Sequence, residues 1–462
     1  MKFTDKRWLA LITLCLGALM IVLDTTIVNV ALPSIKNSLG FSDTGLVWVI
    51  NAYMVTFAGF LLLGGRLGDL FGHRRVFLIG LIVFTLASLA CGLANSEWML
   101  IGARVVQGLG GAITNAVALS LILMLFTSDA DRARAMGFFG FVAAGGGAIG
   151  VFLGGLLTGS FDWHWVFFIN VPIGVVVSVL SLWLLPHNKI DHGSKDLDAW
   201  GAVVATIALM LAMYGIIDGS HAGWLSLQTL GLIGGALVLL SLFIYIEKRA
   251  HSPLMPLSIF KVTNVTPVVL IGILWSAAMY TWFFLSALYM QLVLGYAPLQ
   301  IGLAFLPANL IMAVFSVWLS AKIIHRFGIK WPLSVGLLFI ALGLVLFALA
   351  PIHGDLWVHI MPAMFALGFG CGMAFNPVLL AGTKHVSQNE AGLASGVLNT
   401  AFMMGGSLGL AVLANVAAWQ TAIALNRGAP YQEALLNGYH AAFWIGGLAG
   451  LGAALIAVLF VQ

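Results

Sequence analysis

The chain has 462 residues, of which 61% are hydrophobic and 8% charged, with a mean hydropathy of +1.06. Soluble chains are about 25% charged, and so small a charged fraction cannot cover a water-soluble body of this size. A polytopic membrane protein is implied; soluble enzymes, nucleic-acid binders and secreted disulfide scaffolds are excluded. The three cysteines, Cys15, Cys91 and Cys371, are odd in number and lie in apolar stretches, so no disulfide framework is expected. The formal net charge of +4 is small and calls for no polyanionic partner.

A spanning helix needs about 20 mostly apolar residues. Fourteen apolar segments are predicted, at 8–32, 45–65, 76–95, 98–126, 132–159, 165–185, 199–217, 226–246, 265–294, 300–324, 332–351, 357–380, 390–419 and 440–461. The first is too long for a cleaved leader and lacks a small-residue cleavage site, so it reads as a span. The longest polar connector, 187–198, is too short for a water-soluble domain. An even number of spans puts both termini on one side. With the N terminus in the cytoplasm, seventeen Lys and Arg fall inside and only Lys36 and Arg427 outside, leaving Arg104 within a span. That split follows the positive-inside rule, and the expected location is the cytoplasmic (inner) membrane.

An internal repeat appears on shifting the chain by 259 residues. Ala135, Gly137, Gly146, Gly147 and Gly150 then fall on Ala394, Gly396, Gly405, Gly406 and Gly409, and Asp131 falls on Glu390. Two six-helix halves, 1–190 and 261–462, joined by two further helices in 191–260, give this register. Parallel halves about an axis along the membrane normal are one of the transporter architectures.

Between segments two and three the chain reads Gly65-Arg66-Leu67-Gly68-Asp69-Leu70-Phe71-Gly72-His73-Arg74-Arg75. Glycines let helix ends approach and the chain reverse, and an Asp among them can cap a helix or pair with an Arg. The stretch resembles the signature loop of the major facilitator superfamily, which implies an inner gate formed by Gly65, Gly68, Asp69, Gly72, Arg74 and Arg75. The corresponding stretch of the second half keeps Arg326 and Gly328 but has His325 where the Asp aligns.

Three further motifs resemble the fourteen-span drug:H+ antiporter branch of that superfamily. They are Leu23-Asp24-Thr25-Thr26-Ile27-Val28-Asn29-Val30-Ala31-Leu32-Pro33, Arg104-Val105-Val106-Gln107-Gly108-Leu109-Gly110 and Trp163-His164-Trp165-Val166-Phe167-Phe168-Ile169-Asn170-Val171-Pro172. In the last, His164 replaces the usual Arg. The fifth-segment antiporter motif survives as Gly146, Gly150, Gly154 and Gly155, a small-residue face for tight helix contact, but its usual Pro is absent. Phe402 and Met403 stand where an Arg-Gln pair is common. The resemblance covers the whole chain and implies an all-α integral membrane protein with the major facilitator fold.

An ionisable group within a span is costly and marks a functional site by default. Asp24 and Arg104 are the two such groups. Asp24 lies nine residues before Pro33, and Arg104 six after Trp98, depths of about 13 and about 9 Å from the outer face. A pair across two helices is therefore geometrically open to them. Asp24 is the expected proton carrier, with Arg104 its partner. Burial disfavours its charge and a nearby Arg favours it, so a movement that alters the balance exchanges a proton for cargo. The bland alternative is a purely structural pair. All eleven histidines fall in loops or at segment ends, so none offers a rival carrier.

In the family fold the ninth segment borders a central cavity, which implies Trp275, Tyr280, Trp282 and Tyr289 as cargo contacts. Aromatic faces attract lipophilic cations, although such rings also pack against other helices or lipid. Asn29, Gln107, Asn376 and Asn399 are polar groups within spans that can bond cargo or tie helices together. No Asp or Glu occurs between Glu247 and Asp355, which favours neutral or monocationic amphipathic cargo over dications. The sequence holds no Gly-x-x-x-x-Gly-Lys-Ser/Thr loop, so the proton gradient is the expected energy source, with no cofactor and no metal. The expected partners are a small amphipathic solute, protons and membrane lipid; nucleic acid is excluded and an accessory periplasmic partner is not indicated. Export of drugs, dyes or antibiotics is the leading reading. Proton-coupled uptake is the alternative, and a membrane-embedded enzyme lacks the clustered His and acids it would need.

Overall fold

The computed structural model describes residues 6–42, 44–126, 129–186, 199–223, 225–249, 257–315, 319–384, 386 and 391–461. The polar connector at 187–198 lies outside them. In lipid no water satisfies a free backbone N–H or C=O, so spanning segments close their hydrogen bonds internally as helices. The described residues accordingly form α1 (Lys6–Leu39), α2 (Val47–Phe71), α3 (His73–Gly92), α4 (Glu97–Leu125), α5 (Asp129–Ser160), α6 (Trp165–Phe168), α7 (Asn170–Leu184), α8 (Ala199–Ala222) and α9 (Leu227–Arg249). They continue with α10 (Val265–Leu288), α11 (Pro298–Val314), α12 (Ser320–Phe327), α13 (Lys330–Ala348), α14 (Met361–Thr383), α15 (Ala391–Asn426) and α16 (Tyr431–Phe460). Among the described residues ten helical stretches are long and apolar enough to cross a membrane. Four shorter apolar stretches, Val47–Leu61, Ile149–Ser160, Val203–Ile216 and Pro298–Val314, accompany them.

The two halves pack by one plan. In the first, α1 lies against α5 and α7, α4 against α2 and α3, and α3 against α7. In the second, α10 lies against α15 and α16, α14 against α11 and α13, and α13 against α16. The halves meet chiefly at α5 on α11 and α2 on α15, and α1 also touches α10 and α11. Helices α8 and α9 form a hairpin, and α8 seats on both α2 and α15. Asn415 Nδ2 of α15 donates to the Ile216 carbonyl of α8 at 2.8 Å.

The repeated glycines explain the shared plan. A Cβ on Gly146 or Gly150 would meet α1, at Leu19, Val22 and Thr26; one on Gly405 or Gly409 would meet α10, at Ile273 and Ala277. Gly147 is aimed at Asn309 of the opposite half, and Gly406 lies between Tyr280 of its own half and Met54 of the other. Lipid gives helices no hydrophobic reason to associate, so close backbone approach through small residues does that work.

Two local expectations need correction. The stretch 65–75 is not a loop: α2 runs through Phe71, α3 starts at His73, and Gly72 alone reverses the chain, at φ +90°. Gly328, at φ +73°, does the same between α12 and α13. The last segment begins nine residues earlier than predicted, at Tyr431 rather than 440. His440 therefore lies inside α16, its Nε2 2.8 Å from the Ala350 carbonyl oxygen, and not at a segment end. The ninth segment spans Val265–Val293, close to the expected 265–294, with α10 ending at Leu288 and Tyr289–Val293 widening into a π-helical turn.

Candidate functional site

Asp24 and Arg104 meet. Arg104 Nη1 lies 2.5 Å from Asp24 Oδ2, and both side chains are buried, at 1% and 0% exposure. Arg104 also donates from Nε to the Val49 carbonyl of α2 at 2.8 Å and from Nη1 to Gln107 Oε1 at 2.7 Å. Its guanidinium sits 4.3 Å from the Tyr53 ring centroid and 5.8 Å from that of Phe167. A buried charge is tolerable only when paired and hydrogen-bonded, and this one has both kinds of support.

The other carboxylate oxygen is equally occupied. Asp24 Oδ1 accepts from Gln107 Nε2 at 2.7 Å and from Asn170 Nδ2 at 3.0 Å. The same two nitrogens donate to Ser88 Oγ, at 2.7 and 2.9 Å. Cys91 Sγ lies 3.5 Å from Gln107 Oε1. Five helices thus converge on one carboxylate: α1 carries Asp24, α2 Val49, α3 Ser88 and Cys91, α4 Arg104 and Gln107, and α7 Asn170. The arrangement sets one charged and two amide donors against the carboxylate.

Gln107, expected as a cargo contact, is bonded to both Arg104 and Asp24. Asn29 is buried, donates to the Thr25 and Thr26 carbonyls at 3.0 and 3.4 Å, and leaves Oδ1 without a partner. Asn376 on α14 and Asn399 on α15 are half-buried. Trp275 and Tyr280 gather around Phe402, with ring centroids 5.2 and 6.2 Å away, and Trp282 lies 5.8 Å from Phe305. Tyr289 stands apart: its hydroxyl donates to the Pro351 carbonyl at 2.7 Å, tying the end of α10 to the connector after α13.

At the α2–α3 turn, a Cβ on Gly68 would lie 3.0 Å from Val117 and 3.1 Å from His73, whereas Gly65 has open space. Arg74 donates to the Leu182 carbonyl near the end of α7, and Arg75 is exposed. The side chains of Arg66 and Asp69 lie outside the described set. On α5, Gly146, Gly150 and Gly154 face α1, and Gly155 faces α11. Among the described residues no group of three or more His, Cys, Asp or Glu is placed to hold a metal ion.

Sequence reasoning missed Ser88, Asn170 and Tyr53. Asn170 stood in a recognisable motif with no role attached, and Tyr53 and Ser88 are single residues in apolar helices that carry no signal alone. Gln107 had one: it follows Arg104 by three residues and so shares its helix face.

The sequence model of the Major Facilitator Superfamily matches residues 14–410. The chain is 35% identical to the puromycin resistance protein pur8 of Streptomyces alboniger, over 90% of this chain and 83% of that one. It is 38% identical to the cephamycin export protein CmcT of Amycolatopsis lactamdurans, over 89% and 85%. Among solved structures, an auto-inhibited POT family peptide transporter aligns with a TM-score of 0.70 and 16% identity, over 98% of this chain and 97% of that one. The last likeness bears on fold alone.

Proposed function

The chain belongs to the Major Facilitator Superfamily, and from that premise we propose that it exports small amphipathic compounds in exchange for protons, by alternating access. The observation that carries the reading is the buried Asp24–Arg104 pair with its closed shell of donors. An ion pair this thoroughly satisfied within an apolar bundle is costly to assemble, and intramembrane ionisable groups are kept for function. Asp24 carries the proton and Arg104 stabilises its ionised form. When a proton neutralises Asp24, the guanidinium loses its counter-charge and the helices it joins are free to shift.

Relatives named for antibiotic resistance and export support an outward direction over uptake. Ten long apolar helices with four shorter ones support fourteen crossings, with both termini in the cytoplasm. The halves are assigned to 1–190 and 261–462, with 191–260 as the intervening pair. Trp275, Tyr280, Trp282 and Tyr289, with Asn29, Gln107, Asn376 and Asn399, are the candidate cargo contacts. The proton gradient of the cytoplasmic membrane supplies the energy, without a cofactor.

Reconstitution in liposomes with an imposed pH gradient tests this. Gradient-driven movement of several unrelated dyes and antibiotics is expected from the wild type and not from Asp24→Asn. Uphill transport by that variant that still dissipates the gradient removes the assignment.

A further inference from the structure

Asn170 combines features that no other member of the Asp24 cluster shares. It is fully buried, its Nδ2 donates to both Asp24 Oδ1 and Ser88 Oγ, and its own Oδ1 has no hydrogen-bond partner. An unpaired buried amide oxygen is costly. In a cluster otherwise so densely bonded, it is an acceptor without a present use.

Protonation of Asp24 supplies the use. A proton added to either carboxylate oxygen makes an O–H that needs an acceptor. Every group now set against the carboxylate presents hydrogens: Arg104 Nη1, Gln107 Nε2 and Asn170 Nδ2. Arginine has no acceptor at all. Gln107 has one, but its Oε1 already receives Arg104 Nη1 at 2.7 Å and Cys91 Sγ at 3.5 Å. Asn170 alone of the three brings an uncommitted oxygen. Its terminal amide torsion is broad and two-fold, so a half-turn exchanges Nδ2 and Oδ1. The oxygen then accepts from the Asp24 O–H, and the Ser88 hydroxyl, which had accepted from Nδ2, donates to the same oxygen. No covalent bond changes except the one the arriving proton makes to Asp24.

We infer that Asn170 is a positioning residue for the Asp24 proton, its amide donating to the carboxylate and turning over to accept from the carboxylic acid. The inference rests on Asp24 as the proton carrier. Asn170 is the first residue of α7, which packs on α1 and α3, so the turn conveys the charge of Asp24 to the start of that helix. The charged and titratable groups facing Asp24 are Arg104 from α4, Tyr53 from α2 and Cys91 from α3, with Tyr280 of α10 next beyond Tyr53.

The test is an infrared pH titration of the purified full-length protein in lipid, following the C=O stretch of the protonated Asp24 carboxyl. Asp24→Asn identifies the band. Asn170→Leu removes both the donor to the carboxylate and the acceptor for the acid, so the decisive signal is the Asn170 amide itself, followed in wild-type protein with isotope-labelled Asn and identified by its loss in Asn170→Leu. A fixed Asn170 amide band beside a titrating Asp24 band overturns the inference and leaves the carrier reading intact. An Asp24 band absent at every pH in the wild type overturns the carrier reading itself. Should Asn170→Leu fail to fold, wild-type protein with isotope-labelled Asn answers alone. An amide carbonyl band that shifts with the Asp24 titration, and does not shift in Asp24→Asn, is expected; a band that stays fixed overturns the inference.

Discussion

Arg104 holds Asp24 at 2.5 Å, yet the two partners are unequally supported. Without Asp24, the guanidinium loses its counter-charge too but keeps the Val49 carbonyl, Gln107 Oε1 and the Tyr53 face. Without Arg104, the carboxylate keeps two neutral amide donors and no counter-charge. Stability therefore responds asymmetrically. Arg104→Ala is expected to cost about 3–5 kcal/mol, the usual penalty for orphaning a buried charge, and Asp24→Asn clearly less. Thermal unfolding in detergent measures both, and adding Asp24→Asn to Arg104→Ala is expected to recover part of the loss. Equal losses from the two single variants would contradict this asymmetry.

Helix α5 offers a graded series in which backbone cannot yield but a side chain can. A Cβ on Gly154 would stand 2.6 Å from the Ile27 carbonyl oxygen of α1, while one on Gly147 finds nothing nearer than Asn309 Oδ1 at 3.7 Å. Gly154→Ala is expected to destabilise by about 1–3 kcal/mol as α1 and α5 are forced apart. Gly147→Ala is expected to be tolerated, with transport retained. Unfolding temperatures in the same detergent compare them directly.

Where the α2–α3 turn is concerned, one glycine out of three is indispensable. Gly72 holds φ +90° and ψ +123°, outside the left-handed helical well, a sparsely populated conformation that costs a side chain about 1–3 kcal/mol. Gly65 is helical with open space around its Cβ direction. Gly72→Ala is therefore expected to lower the unfolding temperature and Gly65→Ala to leave it level or raise it, since Ala is the better helix former. The opposite ranking would show that the turn can re-form without a residue at positive φ.

The spans were legible because apolar runs of bilayer length have only one satisfied backbone, the helix. The Asp24–Arg104 encounter was legible for a related reason: a fixed rise per residue converts distance from a helix end into depth. The α2–α3 turn was not, since glycines and charges read as a loop whether one residue or eleven leave the helix. Nor was the shell of the carboxylate. Ser88 and Asn170 arrive from α3 and α7, and no local pattern states which face of α7 turns toward α1. Tyr289 is a further case: its hydroxyl is held by the Pro351 carbonyl, a tie between distant segments that no local pattern states.

Gly155 is a position where packing joins the two halves. A Cβ there would lie 2.8 Å from the Pro298 carbonyl oxygen and 3.2 Å from Cα of both Leu299 and Gly302. These atoms are backbone, so Gly155→Ala cannot be absorbed by a rotamer change and must separate α5 from the start of α11. A penalty of about 1–3 kcal/mol on this contact shifts the equilibrium toward separation of the two helices there by about fivefold or more. Gly159, one turn further and 3.8 Å from Leu299 in Cβ distance, is a place to read it. Cys15, Cys91 and Cys371 are buried and give little background. Labelling of Gly159→Cys by a membrane-impermeant maleimide is expected to quicken when Gly155→Ala is added, and to stay unchanged when Gly147→Ala is added instead. Identical rates in all three would mean that the two halves do not close against each other through this glycine.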